Sequence, residues 1–187
     1  MKPYELALVV GKFAPLHRGH EALIAHARRL SHSLLLLSYA QPEPASCPAP
    51  LRERWLQQCS PQALCVVLDG ERLRERCDAR GLRLNPMPPD TASGPDHWRW
   101  LAWCLNDLLG APIDAIVGSE AYVTPCAAHL SQALGRPVAA ELFDPARTQV
   151  PISASAIRAS PADLGRWLAP AVAESWSPTA ELQRPPP

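Results

Sequence analysis

Long apolar runs are missing from this chain, and so is any paired cysteine motif. No apolar stretch approaches the ~20 residues that a membrane-spanning helix needs, so a soluble protein with no membrane partner is expected. Charge of one sign is lacking too: 18 basic and 18 acidic residues leave a formal net charge of zero. A protein that coats nucleic acid draws most of its affinity from a basic face, so no nucleic-acid partner is expected. The six cysteines, Cys47, Cys59, Cys65, Cys77, Cys104 and Cys126, contain no C-x-x-C pair. That removes the common zinc and redox spacings. With no secretory signal at the start, the plain reading is reduced thiols in a cytoplasmic protein. Lysine occurs only at Lys2 and Lys12.

What is present is a globular composition: 187 residues, 47% of them hydrophobic, enough for one domain with a real core. Short apolar runs at 5–10, 33–39, 63–69, 113–118 and 137–143 read as buried strands. Helical spacing marks 18–30, where Leu23, Ile24, Ala27 and Leu30 share a face, and then 51–59, 71–80, 96–109 and 122–134. Shorter helices are expected near 153–159 and 161–168, and the segment 85–95, with four prolines and a glycine, reads as a loop or lid. The last residues, with Pro185 to Pro187, are expected to be loose. Strands alternating with helices imply a parallel sheet covered on both faces. Ligands of such sheets sit outside the C-terminal strand ends, which directs attention to the loops after Val10, Val117 and Phe143.

The first of those loops runs Gly11-Lys12-Phe13-Ala14-Pro15-Leu16-His17-Arg18-Gly19-His20. Two histidines three apart at a helix start lie on one face of its first turn. The free N–H groups there already favour an anion, and Gly19 lets a ligand approach the backbone. With Lys12 these residues describe a polyphosphate cradle. An H-x-x-H pair also serves as half of a metal site, but no third ligand of obvious spacing follows, and a histidine at a helix start also serves as a plain cap.

At this loop the chain resembles the nucleotidylyltransferase superfamily, whose signature is G-x-F-x-P-x-H-x-G-H; every fixed position is present. The superfamily's second signature, I-S-x-S/T-x-I-R, is matched by Ile152-Ser153-Ala154-Ser155-Ala156-Ile157-Arg158. Asp144-Pro145-Ala146-Arg147-Thr148 is similar to the D-P-x-R-T of bacterial NadR-like nicotinamide-mononucleotide (NMN) adenylyltransferases, and Gly118-Ser119-Glu120-Ala121-Tyr122 to their S-S-E-x-Y. Trp100 and Trp103 match a W-x-x-W, and Arg54-Trp55 an R-W. No Walker A loop occurs, so the kinase half of the bifunctional members is not expected.

The resemblance implies a Rossmann-like, doubly wound, parallel five-stranded α/β sheet in a single domain over 1–170, followed by a C-terminal tail over 171–187. It implies transfer of AMP from ATP to NMN, giving NAD and pyrophosphate, with Mg²⁺ held mainly by the substrate phosphates and no metal ligands on the protein. Catalysis would fall to Lys12, His17, His20 and Arg158. ATP would be bound by Gly11, Phe13, His17, Gly19, His20, Ile152, Ser153, Ser155 and Arg158. In that scheme His20 stabilises charge at the α-phosphate, His17 and Lys12 hold the triphosphate, and Ser153 and Arg158 grip its β- and γ-phosphates. The acceptor would meet Trp100, Trp103, Ser119, Glu120, Asp144 and Arg147, with Trp100 or Trp103 stacking on nicotinamide. Tryptophans at helical spacing serve core packing as readily; Glu120 also suits a helix N-terminus, and Asp144 a turn before Pro145. Two alternatives stay open: an adenylyl- or cytidylyltransferase using phosphopantetheine or glycerol phosphate, and a nucleotide-sensing module without turnover. Self-association into a homo-oligomer is also left open.

Overall fold

A computed structural model describes residues 2–177. Its five strands are β1 (Tyr4–Val10), β2 (Ser31–Tyr39), β3 (Leu64–Leu68), β4 (Ala115–Gly118) and β5 (Ala139–Leu142), in one parallel sheet ordered β3-β2-β1-β4-β5. Alternation along each strand divides the core. Ala7, Val9, Leu34 and Leu36 face one side with Leu23, Ile24, Trp55 and Leu56. Leu8, Leu35, Leu37 and Ile116 face the other with Leu73, Leu101, Leu105 and Leu130. Both faces are therefore covered, as near-continuous apolar strands require. This is the expected Rossmann-like sheet.

Seven of the helices follow the sequence reading with shifts at their ends, and the last was not expected. They are α1 (Arg18–Leu30), α2 (Ala49–Cys59), α3 (Gly70–Ala79), α4 (Gly94–Trp103), α5 (Val123–Leu134), α6 (Ala154–Ala159), α7 (Pro161–Leu164) and α8 (Pro170–Ala173). α1 runs into β2 with no loop, because Ser31 caps the helix through its N–H and its hydroxyl, both given to the Ala27 carbonyl. The expected helix 96–109 is α4 continued without a gap in another hydrogen-bond pattern. Residues Cys104–Leu108 form a π-turn, in which Leu109 N–H reaches the Cys104 carbonyl at 2.8 Å. Gly110 then takes a left-handed φ of 58° and stops the element.

The expected helix 161–168 is α7 followed by a 3₁₀ turn over Gly165–Trp167. The described start of the expected tail packs on the domain: Val172 is buried, and the Trp55 indole N–H donates to Ser175 Oγ at 2.8 Å. Pro185 to Pro187 lie outside the described residues. No helix among the described residues is long and apolar enough to cross a membrane.

Candidate functional site

Strand order reverses between β1 and β4, since β2 lies on one side of β1 and β4 on the other. Loops leaving the two strands diverge there and open a crevice, the usual ligand position in doubly wound sheets. A cavity of about 680 Å³ occupies that crevice. Its walls bring together the loop after β1, the loop after β4, residues 143–158, and one face of α4. The two signature segments, 141 residues apart at their first positions (Gly11 and Ile152), thus share one cavity.

The first turn of α1 builds its floor. His17 is the N-cap, and its Nδ1 accepts the N–H groups of Gly19 at 3.1 Å and His20 at 3.4 Å. His20 Nδ1 reaches back to accept the His17 N–H at 3.3 Å, closing a reciprocal capping box made of two imidazoles. Both rings spend Nδ1 as acceptor, so in the neutral form each carries its proton on Nε2. The rings stack at 3.7 Å with 21° between planes, and the Phe13 ring meets His20 edge-on at 4.9 Å. Gly19 suits this packing, because a Cβ there would stand 3.0 Å from the His17 ring and press on it.

The pair is held neutral. Burial and then the Arg147 charge lower His17 from 6.5 to about 4. Burial, His17 and Arg147 push His20 well below 6.5. The site therefore offers two neutral N–H donors rather than two cations. The unfolded chain takes up protons that the folded chain refuses between 6.5 and about 4, so stability is full above 6.5 and lost as pH falls toward 4. Denaturant midpoints are expected to fall across that window, and less steeply in His17→Asn, which keeps a capping acceptor but cannot titrate. Equal slopes in the two proteins would contradict the assignment.

Gly11 N–H bonds the Leu37 carbonyl at 3.1 Å, and Phe13 turns the chain with a φ of 51°. Lys12 points its ammonium to Asp90 Oδ2 at 2.6 Å, on the loop between α3 and α4. Asp90 is itself fixed to Gln41 by a 2.7 Å backbone bond and by its Oδ1. The Pro-rich segment thus forms one wall of the cavity through Asp90 and Ala92.

Arg158 gives one guanidinium nitrogen to the Ala14 carbonyl and another to Ser155 Oγ at 3.3 Å. Ser153 caps α6 by accepting the Ala156 N–H at 3.1 Å. Ile152 packs beside Gly19, and its carbonyl accepts from Arg147 at 3.1 Å. A second Arg147 nitrogen reaches Glu120 at 3.3 Å, and Ser119 lines the cavity next to it. Gly118 permits that turn, since a Cβ would stand 2.5 Å from Val123 Cγ2.

Asp144 lines the same cavity, but both of its oxygens are committed. They accept N–H groups from Thr148, Gln149 and Val150 at 2.7–3.1 Å, and the Thr148 hydroxyl. Desolvation works against its charge, but these bonds outweigh it and hold the carboxyl below its ordinary value. Asp144 shapes the loop that presents Arg147. Among the described residues no group of three or more His, Cys, Asp or Glu converges as a metal cage.

The tryptophans require a correction. Trp100 is 4% exposed, packs in the core, and spends its indole N–H on the Asn85 carbonyl at 3.1 Å. Trp103 packs against the same core, and neither residue reaches the cavity wall. Trp98 does, with His97, Tyr39 and Leu101. Its indole lies over Gly94, where a Cβ would come within 3.0 Å of the ring. Tyr39 and His97 share a 3.0 Å hydrogen bond at this aromatic end. Another residue that the sequence reading passed over is Arg52: the R-W resemblance pointed to Arg54, which is exposed, whereas Arg52 is fully buried.

No family model matches the sequence, and no curated protein matches it significantly. Solved structures do. A NadR protein in complex with NR aligns with a TM-score of 0.61 at 22% identity, over 90% of this chain and 44% of that one. A NadR protein in complex with NAD and AMP-PNP gives 0.59 at 21% identity, over 90% of this chain and 46% of that one. This chain spans under half the length of either, and the likeness is one of fold.

Proposed function

We propose that the protein transfers the adenylyl group of ATP to the 5′-phosphate of NMN, forming NAD and releasing pyrophosphate. The observation that carries this reading is the convergence of both signature segments on one cavity. There Lys12, Arg147 and Arg158 surround the neutral imidazole pair, an arrangement suited to a polyphosphate. The similar NadR structures were obtained with NR in one case and with NAD and AMP-PNP in the other, which supports nucleotide-type ligands.

No side chain is needed as a nucleophile. An oxygen of the acceptor phosphate attacks the α-phosphorus in line, and the bond to the oxygen bridging α and β breaks. Pyrophosphate leaves with that electron pair. Such transfer depends on alignment and on charge stabilisation. His20 Nε2–H donates to the α-phosphate as charge gathers on it, while His17 and Lys12 hold the triphosphate. Arg158 and Ser153 take its β- and γ-phosphates, and Arg147 meets the acceptor phosphate. Mg²⁺ held by the triphosphate itself would supply further charge neutralisation beside Lys12 and Arg158. The acids lining the cavity are already paired, Asp90 with Lys12, Asp144 with its own loop and Glu120 with Arg147.

Trp98 is the indole available to the nicotinamide ring. Offset stacking is worth ~0.5–1.5 kcal/mol beyond buried area, so Trp98→Ala is expected to raise the NMN requirement several-fold and leave ATP use unchanged. Trp100→Ala removes a core side chain, which costs ~3–5 kcal/mol of stability, and should damage all activities together. Steady-state kinetics with either substrate varied, beside thermal melts, separates the two; reversed behaviour would exclude Trp98. The acceptor itself is tested by offering NMN, phosphopantetheine and glycerol phosphate with ATP and identifying the product. NAD from NMN supports the reading, and product only from another phosphate ester replaces it with one of the related transferases.

A further inference from the structure

Beneath the Gly11–Phe13 turn lies a fully buried arginine. Arg52 stands on the apolar stripe of α2, in line with Ala49, Trp55 and Leu56, and is 0% exposed. All three of its guanidinium nitrogens donate hydrogen bonds. Nε bonds the Cys47 carbonyl at 2.9 Å. One terminal nitrogen serves the Lys12 carbonyl at 3.3 Å and Ser38 Oγ at 2.5 Å. The other makes a fork with both oxygens of Glu43, at 2.9 and 2.7 Å. Ser38 then donates its own hydroxyl to the same Lys12 carbonyl at 3.0 Å. Two donors from two elements therefore hold one backbone oxygen, that of the lysine in the first signature.

A buried ion pair is seldom worth more than well-packed apolar side chains of similar volume. What an apolar side chain cannot do is hold a carbonyl. The turn above needs holding, since Phe13 sits at a left-handed φ of 51° and the Lys12 side chain is half exposed. We infer that Arg52 is a positioning residue: through Ser38 and the Lys12 carbonyl it fixes the Gly11–Phe13 turn so that the Lys12 ammonium faces the triphosphate. The inference rests on the transferase reading of the cavity. Lysine cannot replace the fork, having three donors on one atom.

The experiment is a double-mutant cycle read as kcat/KM for ATP by pyrophosphate release, with circular dichroism melts on every variant. Arg52→Lys should lower kcat/KM about tenfold or more while the protein remains folded at the assay temperature. In a Lys12→Ala background the same change should lower it less than about threefold further, because the group it positions is gone. Should Arg52→Lys fail to fold, Ser38→Ala removes one of the two clamps and must show the same dependence on Lys12. Equal fold-losses in both backgrounds would overturn the inference, leaving Arg52 as a scaffold residue. Unchanged kcat/KM in a folded Arg52→Lys would overturn it too. A wild-type protein that releases no pyrophosphate with any of the three acceptors fails at the earlier step, and both readings fall together.

Discussion

His20→Ala is expected to lower turnover by ~10²–10³ while the protein stays folded. Removal of one preorganised donor aimed at developing charge has a cost of that order. On the proposed reading His20 is such a donor: its Nδ1 is occupied by the His17 N–H, and its neutral state leaves Nε2–H for the cavity. The lost backbone cap adds a modest stability cost of about 1 kcal/mol, which a melt reads separately. His20→Asn helps to separate the roles, since its side chain can cap the turn but places no donor at the Nε2 position. Near-normal turnover in either folded variant would remove His20 from the chemistry.

Arg158→Lys is the second large effect. Arg158 ties the second signature to the first, giving one nitrogen to the Ala14 carbonyl and another to Ser155 Oγ. A phosphate would replace or add to these partners, and a guanidinium holds two phosphate oxygens where an ammonium acts as a point charge. Hydrogen bonds to charged groups are worth ~1.5–3 kcal/mol. The expected loss is therefore roughly 10–100-fold in kcat/KM for ATP, with NMN saturation little changed. Kinetics with ATP varied at fixed NMN checks it. Unaltered ATP dependence would mean that Arg158 serves only to join two loops.

The contrast between these residues and the tryptophans shows what a sequence can convey. His17, Gly19 and His20 lie within one helical turn, so their mutual placement follows from local spacing, and the capping box forms as that spacing allows. The strands were equally legible, because both faces of a parallel sheet are apolar. Which face of α4 meets the core was not. Trp98 and Trp100 are about 200° apart around a helix, and the choice between them is made by tertiary docking. The likeness to a W-x-x-W selected the pair that the core had taken. Arg52 did leave a signal: a charged residue in helical phase with Ala49, Trp55 and Leu56. Its partners come from β2 and two loops, however, and no local pattern predicts them. The engaged state of Asp144 was hidden for a similar reason, since its turn wraps three following N–H groups around the carboxylate.

Adenylyl transfer is defined by the fate of the α-phosphorus of ATP, and one measurement follows it. The protein is incubated with Mg²⁺, NMN and ATP labelled at the α-phosphorus, and products are resolved by chromatography beside a pyrophosphate assay. Label is expected in NAD, with one pyrophosphate released for each NAD formed and neither product when NMN is omitted. Label that stays in ATP, or that leaves as AMP without dependence on NMN, would contradict adenylyl transfer to NMN.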